Sequence, residues 1–291
     1  MISQFKIANY KADAYSKKDT CTIDLSHLDF IQINGRIIKD ESREDIDYVT
    51  IQANDGGAFS TNWEKSDLKI LYILRESYIL KKSFYEDGDR GGHKQNEEYA
   101  DNNDLWENVA YRNLVKMTYF TYYSMLNIPL KEVDFKHDEV WDEACDIFRK
   151  HAAVICANPF PGLAFKSTYT DLKLLKQWLA ISEIQELLKE KIKQLNPKRI
   201  YAAFDLGLVS SYPHLFGWLK GRTLKELVDC EGEQSVFDRD IVNGGIEQGR
   251  TYAVDNKGVV WIQGVHPSTG LSHKRMMTVA SALYLALKSL I

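Results

Sequence analysis

The segment Gly258-Val-Val-Trp-Ile-Gln-Gly-Val-His266-Pro267-Ser268-Thr-Gly-Leu-Ser272 decides how this chain is interpreted. Its apolar first half is typical of a buried strand, the strand stops abruptly at His-Pro-Ser, and a helical pattern follows. In open α/β sheets, ligands bind just outside the carboxyl ends of the strands. A strand end that carries an imidazole and a hydroxyl is therefore a candidate site of chemistry.

Three more apolar runs precede this strand, and helical patterns separate them. The runs cover residues 68–74, 152–157 and 199–204, and the helical patterns cover 104–125, 137–150 and 183–195. Strands that alternate with helices are typical of a parallel sheet. We therefore predict an α/β fold, a three-layer α/β/α domain with a mainly parallel four-stranded sheet. A short hairpin, starting at Tyr252, is expected to lead into the fourth strand.

Polar side chains stand at or just beyond the ends of the four predicted strands. They are Glu76, Asn158, Asp205 and His266. Right-handed crossovers place the carboxyl ends of parallel strands on one edge of the sheet. We expect these side chains to converge on one cleft, in which Asp205 has the role of a structural cap or turn residue.

The pattern divides the chain into two parts. Residues 1–66 are polar and irregular, with short alternating pieces that favour half-exposed strands, and we predict an N-terminal elaboration packed on the core. Residues 67–291 form the α/β/α domain. A stretch with few periodic segments, at about 208–250, is interpreted as a long insertion in that domain.

Composition narrows the class of protein. Apolar residues make up 44% of the chain, and the net charge of -4 argues against a protein coated in nucleic acid, although a small basic footprint on one face is compatible with it. There is no signal-peptide pattern and no apolar run of the roughly 20 residues that a membrane span requires. We therefore predict a cytoplasmic protein that binds no membrane, and we expect no cofactor. We also expect no metal, because the loop with Asp87, Asp89 and His93 does not fit a calcium site.

The ordered strand ends resemble those of the uracil-DNA glycosylase superfamily. His266-Pro267-Ser268-Thr-Gly-Leu271-Ser272 is similar to the HPSPLS segment of that family, with one residue added. The strand before Asn158 looks like the one that ends in the base-reading Asn. The family's GQDPYH motif corresponds here to Leu74-Arg-Glu76-Ser77-Tyr78, which has no Asp-Pro. The resemblance spans residues 67–290 and indicates a remote member.

The resemblance implies a protein that hydrolyses or binds a flipped-out, uracil-type nucleobase. Glu76 would orient or deprotonate the attacking water, and His266 would donate a hydrogen bond to the departing base. Asn158 would read the edge of the base, because an amide both donates and accepts. Tyr78 or Phe160 would stack on a base.

The same segments carry hydroxyl and cationic side chains for DNA. Ser77, Ser268 and Ser272 would hold backbone phosphates, and Lys274 and Arg275 would add positive charge at the start of the last helix. The N–H groups of a helix N-terminus favour an anion there. The expected partner is DNA, a nucleobase or a nucleotide, and the pattern indicates no oligomeric state.

Each assignment has a structural alternative. His266 and Asn158 are equally compatible with a structural residue and a turn residue, and Lys274 with Arg275 is typical of a solvated face. For the whole chain, two other functions stay open. One is a non-catalytic nucleic-acid or nucleotide-binding module on the same fold, and the other is a hydrolase of small nucleosides.

Overall fold

The computed structural model describes part of the chain and divides it into two compact units. The described residues are 56–74, 98–129, 133–157, 190–203 and 258–263, with strands within 5–52, strands at 78–80, 162–164, 222–223 and 251–254, and separate positions within 266–284. The first unit comprises Met1–Gly56, Arg75–Gln95 and Cys156–Gln194, and the second comprises Gly57–Leu74, Asn96–Ile155 and Leu195–Ile291. The predicted boundary at residue 66 stays a prediction, as does the insertion at 208–250, where only the strand at 222–223 is described.

The strands are short. In chain order those described are β1 (Phe5–Ala8), β2 (Lys11–Ala14), β3 (Thr20–Cys21), β4 (Phe30–Ile33), β5 (Arg36–Lys39), β6 (Ile51–Gln52), β7 (Gly57–Ala58), β8 (Ile70–Leu74), β9 (Tyr78–Leu80), β10 (Ala152–Cys156), β11 (Gly162–Ala164), β12 (Arg199–Ala202), β13 (Arg222–Thr223), β14 (Thr251–Val254) and β15 (Val260–Gln263).

The helices of known bounds all belong to the second unit. They are a 3₁₀ helix (Thr61–Lys65), α1 (Asn102–Glu107), α2 (Val109–Met125) and α3 (Asp138–His151). Residues 190–195 are also helical, and a C-terminal helix is described at residues 273, 276–277, 279–280 and 283–284. None of the helices in the described part of the chain combines the length and the apolar composition that crossing a bilayer requires.

Four separate two-stranded sheets are described in the first unit. β1 with β2, β4 with β5, and β3 with β6 pair antiparallel, whereas β9 and β11 pair parallel. β6 lies in a stretch that the alternating sequence pattern predicted as a short strand.

The second unit is built on one seven-stranded sheet of order β13-β14-β15-β12-β8-β10-β7. The four predicted strands, β8, β10, β12 and β15, are adjacent in its centre, and β8, β12 and β15 run parallel in register, with Arg199 opposite both Ile70 and Val260. The α/β class is therefore confirmed.

The prediction of a mainly parallel sheet of four strands is wrong, because the sheet is mixed. The predicted hairpin before β15 is present, and its first strand, β14, joins the sheet antiparallel, pairing Val254 with Val260. Gly258 has a φ of 77°, in the left-handed region that glycine adopts without strain, so the chain can reverse there. β13 and β7 add further antiparallel pairs, each of two residues. Strands this short leave no alternation that a sequence pattern reveals.

One face of this sheet carries the helices. Alternate side chains of a strand point to opposite faces, so Ile70, Tyr72 and Leu74 of β8 share a face, and they lie in one apolar cluster with residues of α1, α2, α3 and the C-terminal helix. Leu71 and Ile73, on the other face, are also fully buried. The second helical layer, and with it the three-layer arrangement, stays a prediction.

The helical pattern at 104–125 corresponds to two helices instead of one. The side chain of Asn108 accepts hydrogen bonds from the backbone N–H groups of Ala110 and Tyr111 and so caps α2, while Asp101 caps α1. An Asn side chain competes with the backbone for helical hydrogen bonds, which interrupts the helix at this position. The helix predicted at 137–150 is confirmed as α3.

Candidate functional site

The order of the strands places a candidate site at one edge of the central sheet. From β8 the chain proceeds to β10 on one side, whereas from β12 it proceeds to β15 on the other side. β8 and β12 are neighbours, so the chain connections reverse direction between them. Ligands of open α/β sheets bind at such a switch point, outside the carboxyl ends of the strands. Because β8, β12 and β15 are parallel, their carboxyl ends share this edge.

His266 lies three residues beyond the end of β15 and forms a turn with Ser268. Its Nδ1 accepts a hydrogen bond from the backbone N–H of Ser268 at 3.3 Å and lies 2.8 Å from Ser268 Oγ. A backbone N–H can only donate, so Nδ1 is the acceptor and the proton of the neutral ring is on Nε2. The N–H of this half-buried ring is therefore on its other side, at Nε2.

Asn113 of α2 fixes this turn. Its Nδ2 donates a hydrogen bond to the carbonyl oxygen of Pro267 at 2.6 Å, and both residues are buried. The interaction joins residues 154 positions apart in the chain. Asn113 is not among the predicted site residues, although an amide among the apolar residues of a predicted helix was a detectable signal.

The C-terminal helix begins directly after the same turn. The backbone N–H of Met276 donates to the carbonyl of Ser272 at 3.1 Å, so Ser272 lies at the helix start. The ring of His273 packs edge-on against Phe120 and Phe135, with ring centroids 6.3 and 5.7 Å apart. These contacts hold the first helical turn against α2.

The structure therefore brings together three of the predicted site residues. His266, Ser268 and Ser272 lie in one turn-and-helix segment, and Ser268 and Ser272 are exposed. Tyr78 begins β9 in the first unit, and only its backbone is described. The remaining predicted residues lie outside the described residues: Glu76, Ser77, Asn158, Phe160, Asp205, Lys274 and Arg275. Their convergence with His266 stays a prediction.

A second serine–histidine pair lies at the opposite, amino edge of the sheet. Ser66, which precedes β8, accepts hydrogen bonds at Oγ from the N–H groups of Leu68 and Lys69, at 3.2 and 3.1 Å. Its hydroxyl proton is therefore directed to His151 Nδ1, 2.7 Å away. Ser66 and His151 are 3% and 6% exposed. Burial, followed by the charge of Lys150, lowers the pKa of His151 to about 4.

Within the described residues, no group of three or more His, Cys, Asp and Glu side chains is arranged to hold a metal ion. The expectation that the protein uses no metal and no cofactor stays a prediction, because the described residues are only part of the chain.

Comparisons of the chain with protein-family models, with curated proteins and with solved structures found no match. The resemblance to the uracil-DNA glycosylase superfamily is therefore one of sequence motifs alone.

Proposed function

We propose that this protein is a remote member of the uracil-DNA glycosylase superfamily that hydrolyses the N-glycosidic bond of a flipped-out base. The observation that carries the proposal is the His266 turn at the carboxyl edge of the parallel strands. Its imidazole is held by the Ser268 N–H in the form that donates from Nε2.

This form of His266 suits the chemistry. Cleavage of an N-glycosidic bond leaves negative charge on the departing base, and a fixed donor aimed at a carbonyl oxygen of that base lowers the energy of the transition state. The donor is useful only if it is in place before the reaction. Asn113, through Pro267, and Ser268 supply this rigidity.

Glu76 and Asn158 keep the roles that the resemblance implies. Glu76 takes the proton of the attacking water, and Asn158 reads the base by its amide. In this proposal the central strands β10, β8, β12 and β15 correspond to the sheet of the superfamily, and the domain has three layers, α/β/α. The antiparallel strands β13, β14 and β7 are additions at the margins of that sheet.

The test is product formation from oligonucleotides that contain uracil, hypoxanthine or a mismatched thymine. Single-stranded and duplex forms are incubated with the full chain, and abasic sites are revealed by alkaline strand cleavage. We expect product from at least one substrate and its loss in the His266→Leu variant, which has no side-chain donor. Product that persists in this variant, or no product from any oligonucleotide, contradicts the proposal.

A second candidate function is favoured by the segment that corresponds to the family's GQDPYH motif. Leu74-Arg-Glu76-Ser77-Tyr78 lacks the Asp-Pro of the family, so a protein that binds a base or nucleotide without turnover fits the same fold. Salt-dependent DNA binding without abasic product identifies this function. Release of free base from nucleosides, but not from oligonucleotides, identifies a nucleoside hydrolase.

A further inference from the structure

Two cations of α2 lie against aromatic rings in what we call the basic–aromatic cluster, formed by Trp106, Arg112, Lys116 and Phe135. The guanidinium carbon of Arg112 is 5.2 Å from the centroid of the Trp106 ring. The ammonium of Lys116 is 5.5 Å from that ring and 5.2 Å from the Phe135 ring. Positions four apart share one face of a helix, so the two cations are neighbours.

The two cations of this cluster repel each other. Among the described residues, no carboxylate forms a salt bridge with Arg112 or Lys116. Arg112 Nη1 donates to the backbone carbonyl of Trp106 at 2.9 Å. Burial, and then the charge of Arg112, lower the pKa of Lys116, while Asp134 opposes this effect. An anion between the two cations would relieve the repulsion.

The cluster is connected to the His266 turn by direct contacts. Asn113, which holds Pro267, follows Arg112 on α2. Phe135, which contacts Lys116, also packs on His273 in the first turn of the C-terminal helix. The cluster and the His266 turn therefore both pack on α2.

We propose that Arg112 and Lys116, positioned on the ring of Trp106, bind a phosphate group of a nucleic-acid strand. This inference rests on the proposed function, because the bound strand is the one whose base reaches His266. A guanidinium offers paired N–H donors that match phosphate oxygens, and an ammonium adds a point charge. The local charge also contrasts with the net charge of -4.

Binding of a fluorescent single-stranded 20-mer to the full chain, measured by anisotropy from 50 to 200 mM salt, tests the proposal. Each phosphate contact with a single strand contributes about 0.7 to the slope of log K against log salt. We expect Arg112→Gln and Lys116→Gln each to lower the slope by about 0.7 and to weaken binding several-fold at the lowest salt. Lys65→Gln is the matched control, because Lys65 is exposed at the amino edge of the same unit and carries the same charge.

A nucleoside monophosphate serves as a second probe, to separate a backbone phosphate from a free nucleotide. Weaker binding of either probe by both variants, but not by the control, supports the phosphate site. The probe that is affected shows whether the bound phosphate belongs to a strand or to a free nucleotide. Unchanged slopes and affinities in both variants overturn it, as does a wild-type chain that binds neither probe. Thermal melting verifies that the variants are folded.

The oligonucleotide cleavage assay separates this inference from the proposed function. Altered slopes with no abasic product from the wild type retain the phosphate site and reject the glycosylase. Abasic product together with unaltered slopes retains the glycosylase and rejects the phosphate site.

Discussion

The two serine–histidine pairs of the second unit are alike in composition and opposite in setting. Ser66 Oγ and His151 Nδ1 are 2.7 Å apart at the amino edge, and Ser268 Oγ and His266 Nδ1 are 2.8 Å apart at the carboxyl edge. In both pairs Nδ1 accepts, so both rings carry the proton on Nε2. The first pair is buried, whereas Ser268 is exposed and His266 half-buried.

The comparison shows that a serine–histidine contact does not by itself indicate a site. Ser66 uses both lone pairs on backbone N–H groups of the turn that enters β8, so its hydroxyl is part of the fold. His266 follows the end of a parallel strand, where ligands bind in sheets of this kind. The two histidines therefore differ in their position relative to the strands and in their exposure to solvent.

The largest expected difference between the pairs is in catalysis. His266→Leu should reduce the rate of base excision by about 100- to 1000-fold, the range measured when one donor to a developing negative charge is removed. His151→Gln should leave the rate per folded molecule unchanged. Single-turnover cleavage of the preferred oligonucleotide measures both variants. Equal losses of the excision rate in the two variants would contradict a catalytic role that is confined to the carboxyl edge.

The pairs should also differ in their contribution to stability, and here the larger loss is expected at the buried pair. Ser66→Ala leaves two buried N–H groups and the nitrogen of His151 without their partner, which should lower the free energy of unfolding by about 2–4 kcal/mol. Ser268→Ala removes an exposed hydroxyl and should cost under about 1 kcal/mol. Urea denaturation of both variants measures the difference. A Ser66 variant as stable as the Ser268 variant would show that the buried pair does not stabilise the unit.

The pH dependence of stability sharpens the contrast further. The folded pKa of His151, about 4, is below its unfolded value near 6.5, so the folded state disfavours protonation. The contribution of neutral His151 to the free energy of unfolding is therefore complete above pH 6.5. It falls by on the order of 2–3 kcal/mol as the pH falls toward 4. Urea denaturation from pH 4 to 7 measures this loss, and His151→Gln should flatten the curve in that range. An unaltered curve in the variant would assign the pH dependence to other groups.

The centre of the fold was predictable because its strands are buried on both faces. β8, β10, β12 and β15 are near-continuous apolar runs, which local pattern alone reveals. β7 and β13 were not predictable, because each has two residues and is defined by its partner. The split at Asn108 was missed because one side chain, by capping α2, overrides a continuous helical pattern.

The candidate site was predictable only in part, for a related reason. His266, Ser268 and Ser272 are close in sequence, so one motif revealed them together. Asn113 reaches Pro267 across 154 positions, and Ser66 reaches His151 across 85, and no local pattern carries such pairs.

The smallest expected effect concerns the anchor of the carboxyl-edge pair. Asn113→Ala removes the donor to the Pro267 carbonyl, so the His266 turn is held less firmly. We expect kcat for base excision to fall about tenfold, because small misplacement of a catalytic group costs rate, while KM is unchanged. Asn103→Ala, which alters an exposed amide of α1, is the matched control. Proton NMR of the His266 ring gives a readout independent of activity, and its resonances should shift in the Asn113 variant alone. Unshifted resonances together with an unchanged kcat would mean that the turn keeps its geometry without this hydrogen bond, and that Ser268 alone orients the ring.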